Sequence, residues 1–205
     1  MERKAGKEGE QKDDEALALC RVVAERATQT LEIGERNRWL LTIALDRLTL
    51  GRAALYAMIL ESPSCPQRFL PQPTSEKGQM GFTTPTTELE QAVSGLRRAG
   101  TQHHLPRGLL TRAWLRSLIG QRTGSESAQS DLDEAWEIAE RGPMPLHLAD
   151  IHLYRARLFF REATYPWQSP QHDLAEARRL IYQHGYFRRK EELEDAEQAL
   201  QNASR

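Results

Sequence analysis

The sequence predicts an all-α protein, an α-solenoid built from antiparallel helix pairs, and three observations predict it. A short pattern recurs at helical spacing: Leu50-Gly51-Arg52-Ala53-Ala54-Leu55, Leu110-Thr111-Arg112-Ala113-Trp114-Leu115 and Leu153-Tyr154-Arg155-Ala156-Arg157-Leu158. Each copy is followed by a second pattern: Glu88-Leu89-Glu90-Gln91-Ala92, Asp131-Leu132-Asp133-Glu134-Ala135 and Asp173-Leu174-Ala175-Glu176-Ala177. The leucines of the second pattern stand 43 and 42 residues apart. Two helical motifs per period of this size mark stacked helix pairs, each burying its apolar face on the next. The composition agrees, since 28% charged and only 7% aromatic residues suit exposed amphipathic helices better than a β-sandwich.

The elements follow in order. Residues 1–14 carry almost nothing that a core would bury and are expected as a disordered tail, leaving 15–205 as one helical-repeat domain. A first helix over about 15–34 aligns Leu17, Cys20, Val23 and Ala24, with a turn at 35–37. The next, about 39–60, is apolar over most of its circumference (Leu40, Leu41, Ile43, Ala44, Leu45, Leu48 and Leu50) and is expected to be buried between neighbours. Pro63, Pro66, Pro71, Pro73 and Pro85, with Gly78 and Gly81, then exclude regular helix and predict a long loop over 62–86. Leu50 and Leu89 stand 39 residues apart, against 22 and 21 for the later pairs, so the first repeat carries an insertion of about 17 residues.

Later boundaries are marked by caps. Thr87-x-x-Glu90 and Ser130-x-x-Asp133 read as capping boxes, and Ser169-Pro170 as a cap followed by a pre-set first residue. Gly100, Gly142 and Gly185 fall where a left-handed residue closes a helix. A last helix, about 187–200, has only Leu193, Ala196 and Leu200 as an apolar stripe, which suits a C-terminal capping helix.

Charge and cysteine content narrow the function classes. With 28 Lys plus Arg against 29 Asp plus Glu, the net charge of −1 gives no general attraction to nucleic acid or anionic lipid. Cys20 and Cys65 are isolated, which suits a reducing compartment. The charged N-terminus has no apolar leader region, and no run approaches the roughly 18–20 apolar residues of a membrane span. A soluble cytoplasmic protein is the expectation.

Ala92-x3-Leu96-x2-Ala99 and Ala177-x3-Ile181, with Ala53, Ala113 and Ala156 at a close-packing position, resemble the small and large apolar pattern of tetratricopeptide repeats over about 38–200. The period of 42–43 departs from that family's roughly 34 and equals that of HEAT and armadillo repeats, the alternative packing. Residues 44–52 and 131–142 also resemble the C-terminal repeat arrays of large bacterial signalling proteins, which often follow a nucleotide-binding switch. No GxxxxGK[ST] loop stands in this chain. The resemblance implies a non-catalytic adaptor, scaffold or sensor that binds protein and needs no cofactor.

The side chains that carry chemistry point the same way. His103 and His104 adjoin at a turn, and His147 and His152 lie five apart, off one helix face, with no HExxH or CxxC to make a metal site. No GxSxG nucleophile is present, and the acids Asp131, Asp133, Glu134 and Glu137 suit the positive end of a helix, so no catalytic residue is assigned. Basic groups carry more weight. Offsets of three and four align Thr49, Arg52 and Tyr56; Leu109, Arg112 and Arg116; and His152, Arg155 and Phe159. First helices line the concave side of such a stack, so Arg52, Tyr56, Arg112, Arg116, His152 and Arg155 are the candidate ligand-binding residues. Arginine forks with aromatic neighbours suit an acidic-hydrophobic peptide, or, as the alternative, nucleic-acid phosphates. The competing structural reading pairs these arginines with Asp or Glu of the adjacent second helix. Arg97-Arg98 and Arg188-Arg189-Lys190 read as solvated helix surface.

Overall fold

The computed structural model describes residues 2–61 and 84–203, and among them the regular structure is helical, with no strand. The helices fall into two units, Met1–Thr101 and Gln102–Arg205. The expected 62–86 loop, with Cys65, lies outside the described residues except for 84–86.

The first unit holds α1 (Glu2–Asn37), α2 (Leu40–Glu61) and α3 (Pro85–Arg98). Helix α1 starts at Glu2 and runs through the stretch expected as a tail. It ends three residues later than the sequence indicated. Arg38 takes φ 58°, and the amides of Arg38 and Trp39 bond back to Glu35 O (3.2 Å) and Gly34 O (3.0 Å). A left-handed residue thus satisfies the last carbonyls, a place that usually takes Gly. Helix α2 buries Ala44, Leu48, Ala53, Leu55 and Ala57. Its approach to α3 depends on two glycines. A Cβ at Gly51 would lie 2.6 Å from Leu89 Cδ2, and one at Gly95 would lie 2.9 Å from Ala44 Cβ.

Pro85 opens α3 instead of belonging to the loop, because the first helical position has no amide to lose. The cap is Thr84, accepting from Thr87 N, one turn ahead of the predicted Thr87 box.

In the second unit a 3-10 turn (Gln102–His104) leads into α4 (Leu105–Leu118), α5 (Ala128–Arg141), α6 (Pro145–Phe159) and α7 (Pro170–Gln183). A second 3-10 turn (Phe187–Arg189) leads into α8 (Lys190–Ala203). Helix α4 packs on α5, and α6 packs chiefly on α7, with contacts to α4, α5 and α8. Ser127 caps α5 through a reciprocal box with Ser130 (3.1 and 2.9 Å), again one turn ahead of the predicted Ser130–Asp133 pair. Ser169 caps α7 as predicted, accepting from His172 N at 3.0 Å. Gly100 (φ 70°) and Gly185 (φ 63°) occupy the left-handed region as predicted. Gly142 does not: its φ is −93°, its amide still bonds Ile138 O at 3.0 Å, and Pro143 makes the break.

The repeat is visible in α3, α5 and α7. Each has 14 residues, with Leu89, Leu132 or Leu174 fifth in the helix and buried. Directly before it, fourth in every case, stands an acid that is also buried: Glu88, Asp131 or Asp173. The α6–α7–α8 core gathers Leu153, Leu174, Ala177, Ile181, Tyr186 and Leu193.

Candidate functional site

A buried carboxylate needs hydrogen-bonding cations or donors, because its desolvation costs several kcal/mol. Each of the three repeated acids has its own solution. Glu88 Oε2 receives Arg47 Nη1 of α2 at 3.2 Å. Asp131 receives Arg112 as a fork, Nε to Oδ2 at 3.0 Å and Nη2 to Oδ1 at 2.6 Å, and Arg116 Nη1 to Oδ1 at 3.1 Å. Asp173 is held by His152 Nδ1 at 2.6 Å from Oδ1, and by the Tyr165 hydroxyl donating to Oδ2.

The last arrangement displaces an arginine. Arg155 stands 43 residues after Arg112 and Asp173 stands 42 after Asp131, yet no hydrogen bond joins them, and the Asp173 oxygens meet His152 and Tyr165 instead. The Arg155 guanidinium lies instead between two indoles, its Cζ 4.6 Å from the Trp136 centroid and 4.6 Å from that of Trp167. One amine reaches Asp133 Oδ1 at 3.4 Å, an oxygen that also accepts from Trp167 Nε1 at 2.7 Å. Arg155 Nε is buried with no hydrogen-bond partner. Burial pushes the Arg155 pKa below its ordinary value, against the opposing pull of Asp173 and Asp133. Burial, and then its bond to Asp173, pushes the Tyr165 hydroxyl up. Edge-on contacts of Trp136 with His152 (4.9 Å) and of Phe159 with Trp167 (5.1 Å) complete an aromatic-polar cluster.

The six residues nominated from sequence therefore fall into distinct settings. Arg112, Arg116, His152 and Arg155 are buried in the second unit, with Arg112 6% and Arg155 7% exposed. Arg112 and Arg116 pair with the adjacent second helix, as the competing structural reading has it, and His152 does the same. Arg52 is half-buried and Tyr56 is 48% exposed, both on α2 of the first unit. Helical spacing grouped the side chains of α4 and α6 on shared faces, but those faces turn toward the partner helix.

The neighbouring face is the open one. Trp114, Tyr154, Arg157 and Leu158 line a cleft of about 200 Å³ on α4 and α6. None of them was nominated. The sequence did hold a signal, because two places in the repeated pattern change: the one before the repeated arginine, as Gly51, Thr111 and Tyr154, and the one two residues after it, as Ala54, Trp114 and Arg157. A position that recurs in each copy is held by packing, and two residues further round the helix is about 200° away. Two aromatics, a leucine and a guanidinium that donates to Glu192 Oε2 at 3.0 Å offer surface for binding. Comparison with protein-family models, with curated proteins and with solved structures finds no match for this chain.

Proposed function

We propose that the chain is a non-catalytic protein-binding module, an adaptor, scaffold or sensor, whose pairs α2/α3, α4/α5 and α6/α7 are antiparallel, tetratricopeptide-like repeats. The observation that carries the reading is the α4–α6 cleft, where first helices of successive pairs present Trp114, Tyr154, Arg157 and Leu158 to solvent. Aromatic residues and arginine dominate protein-binding hot spots because they bury large area with few rotamers and satisfy planar acceptors. An acidic-hydrophobic peptide or partner helix would lay apolar side chains on Trp114, Tyr154 and Leu158 and exchange a carboxylate for Glu192 on Arg157. The phosphate alternative would need Arg112, Arg116 and Arg155 at the surface, and they are buried.

The test places a photo-crosslinking amino acid at position 114, 158 or, as an exposed control, 137, in the native cell. A partner protein captured at 114 and 158 but not at 137 supports the reading, and Trp114→Ala should then weaken its binding about 30-fold, a loss near 2 kcal/mol. Capture equal at all three positions, or none, overturns it.

A further inference from the structure

Helix α1 carries two apolar faces. Ala24, Ala27 and Leu31 are buried on the side that packs against α2. Leu19, Val22, Val23 and, further along, Ile33 lie about 120° round the helix and are exposed, Leu19 to 65%. A row of branched apolar side chains left open on one helix marks an interaction surface.

The charges on that face say what covers it. Offsets of three and four residues put Lys12, Glu15, Leu19, Val22, Arg26 and Gln29 on one seam, so an acid precedes the apolar pair and a base follows it. Glu15 and Arg26 are exposed and enter no ion pair among the described residues. The places three and four away from Arg26 hold Val22, Val23, Gln29 and Thr30, so its own helix offers it no acid there. Consider a second α1 laid antiparallel, with Leu19 of each copy on Val22 of the other. That register sets Glu15 of each copy on Arg26 of the other, brings Val23 to Ala16, and places Lys12 opposite Gln29 and Glu25 opposite Ala18. Two apolar layers are flanked by an ion pair at either end, and no like charges meet. Parallel pairing would set Glu15 on Glu15 and Arg26 on Arg26, so charge selects the antiparallel sense.

We infer that α1 is a self-association surface, through which two copies of this chain pair antiparallel with Leu19 on Val22 and Glu15 on Arg26. The contact is isologous and closes at two copies. It spans residues 12–29, about 27 Å of helix with a short apolar centre, which places it at the low end of interface sizes and makes the dimer exchange with monomer. The inference is independent of the α4–α6 cleft.

Sedimentation equilibrium of the full chain over a range of concentrations tests it, and should show monomer and dimer in exchange. Glu15→Arg and Arg26→Glu should each weaken the dimer about tenfold, the scale of two exposed pairs turned from attraction to repulsion. An equimolar mixture of the two variants should recover the original affinity, because each introduced charge then meets its opposite. A photo-crosslinking amino acid at position 19 should join two copies near Val22. A chain that stays monomeric throughout, single variants that dimerise as the parent does, or a mixture no tighter than its components overturns the inference. So does a crosslink from position 19 into the segment joining α2 and α3 of the same chain. Should either variant lose its helicity by circular dichroism, the crosslink decides alone.

Discussion

Arg112 grips Asp131 at two points, with nitrogen–oxygen distances of 3.0 and 2.6 Å, while Arg155, one period later, makes no such bond to Asp173. The same pair of positions therefore carries a clamp in one repeat and a displaced cation in the next. In the later repeat the oxygens of Asp173 meet Tyr165, from the segment between α6 and α7, and His152, while Arg155 lies between Trp136 and Trp167.

Removing the Asp131 carboxylate should be severe. Asp131→Ala leaves the buried guanidiniums of Arg112 and Arg116 without their common acceptor, and breaking a buried pair from one side costs about 3–5 kcal/mol. Urea unfolding followed by circular dichroism measures it. A loss below about 1 kcal/mol would show that the clamp contributes little.

Arg155 should behave differently from its counterpart. Its Nε already lacks a partner and its flanks are indole rings, so Arg155→Met replaces an under-satisfied cation by an apolar chain of similar length. We expect Arg155→Met to cost at least about 2 kcal/mol less than Arg112→Met, with changed tryptophan emission. Equal losses from the two would contradict this account.

The histidines beside the Gln102–His104 turn set a pH limit. Burial lowers the pKa of His147, with Arg107 and Arg188 adding to it and Asp150 opposing; burial, then His103, Arg107 and His147, lowers that of His104. His147 Nε2 lies 3.2 Å from His103 O, and its buried Nδ1 has no partner to take a second proton. The folded state thus binds fewer protons than the unfolded one. Their contribution is full above the unfolded value, about 6.5, and is lost as pH falls below it toward the folded values. Chemical denaturation at pH 7.5 and 5.5 should show a drop that the double variant H104Q/H147Q reduces. An undiminished drop in that variant would assign the effect elsewhere.

One substitution should stabilise. Arg38 is the non-glycine residue with positive φ among those described, and a left-handed L-residue costs roughly 1–2 kcal/mol. Arg38→Gly removes that strain and offsets part of it by greater freedom in the unfolded chain, for a net gain of about 0.5–1 kcal/mol. A thermal midpoint that falls instead would mean that the Arg38 side chain holds the α1–α2 turn.

Much of the helical framework was determined by the sequence alone, because its signals are local. The 43- and 42-residue spacing of Leu89, Leu132 and Leu174 located three like helices, and Ser169, Gly100 and Gly185 marked ends through hydrogen bonds made within a few residues. Where two local solutions overlapped, the choice needed the packed chain. Thr84 and Ser127 cap α3 and α5 in place of Thr87 and Ser130, three residues on. The solvent-facing side chains were decided by tertiary structure only. Helical periodicity states that Arg112 and Arg116 share a face, but the position of α5 determines that this face meets Asp131 while Trp114 stays at the cleft. The setting of Arg155 depends on two indoles, Trp136 of α5 and Trp167 of the segment before α7, arriving on either side of it. Burial and ion pairing are properties of surfaces brought together in space, and a repeat in sequence fixes their chemistry without fixing which surfaces meet.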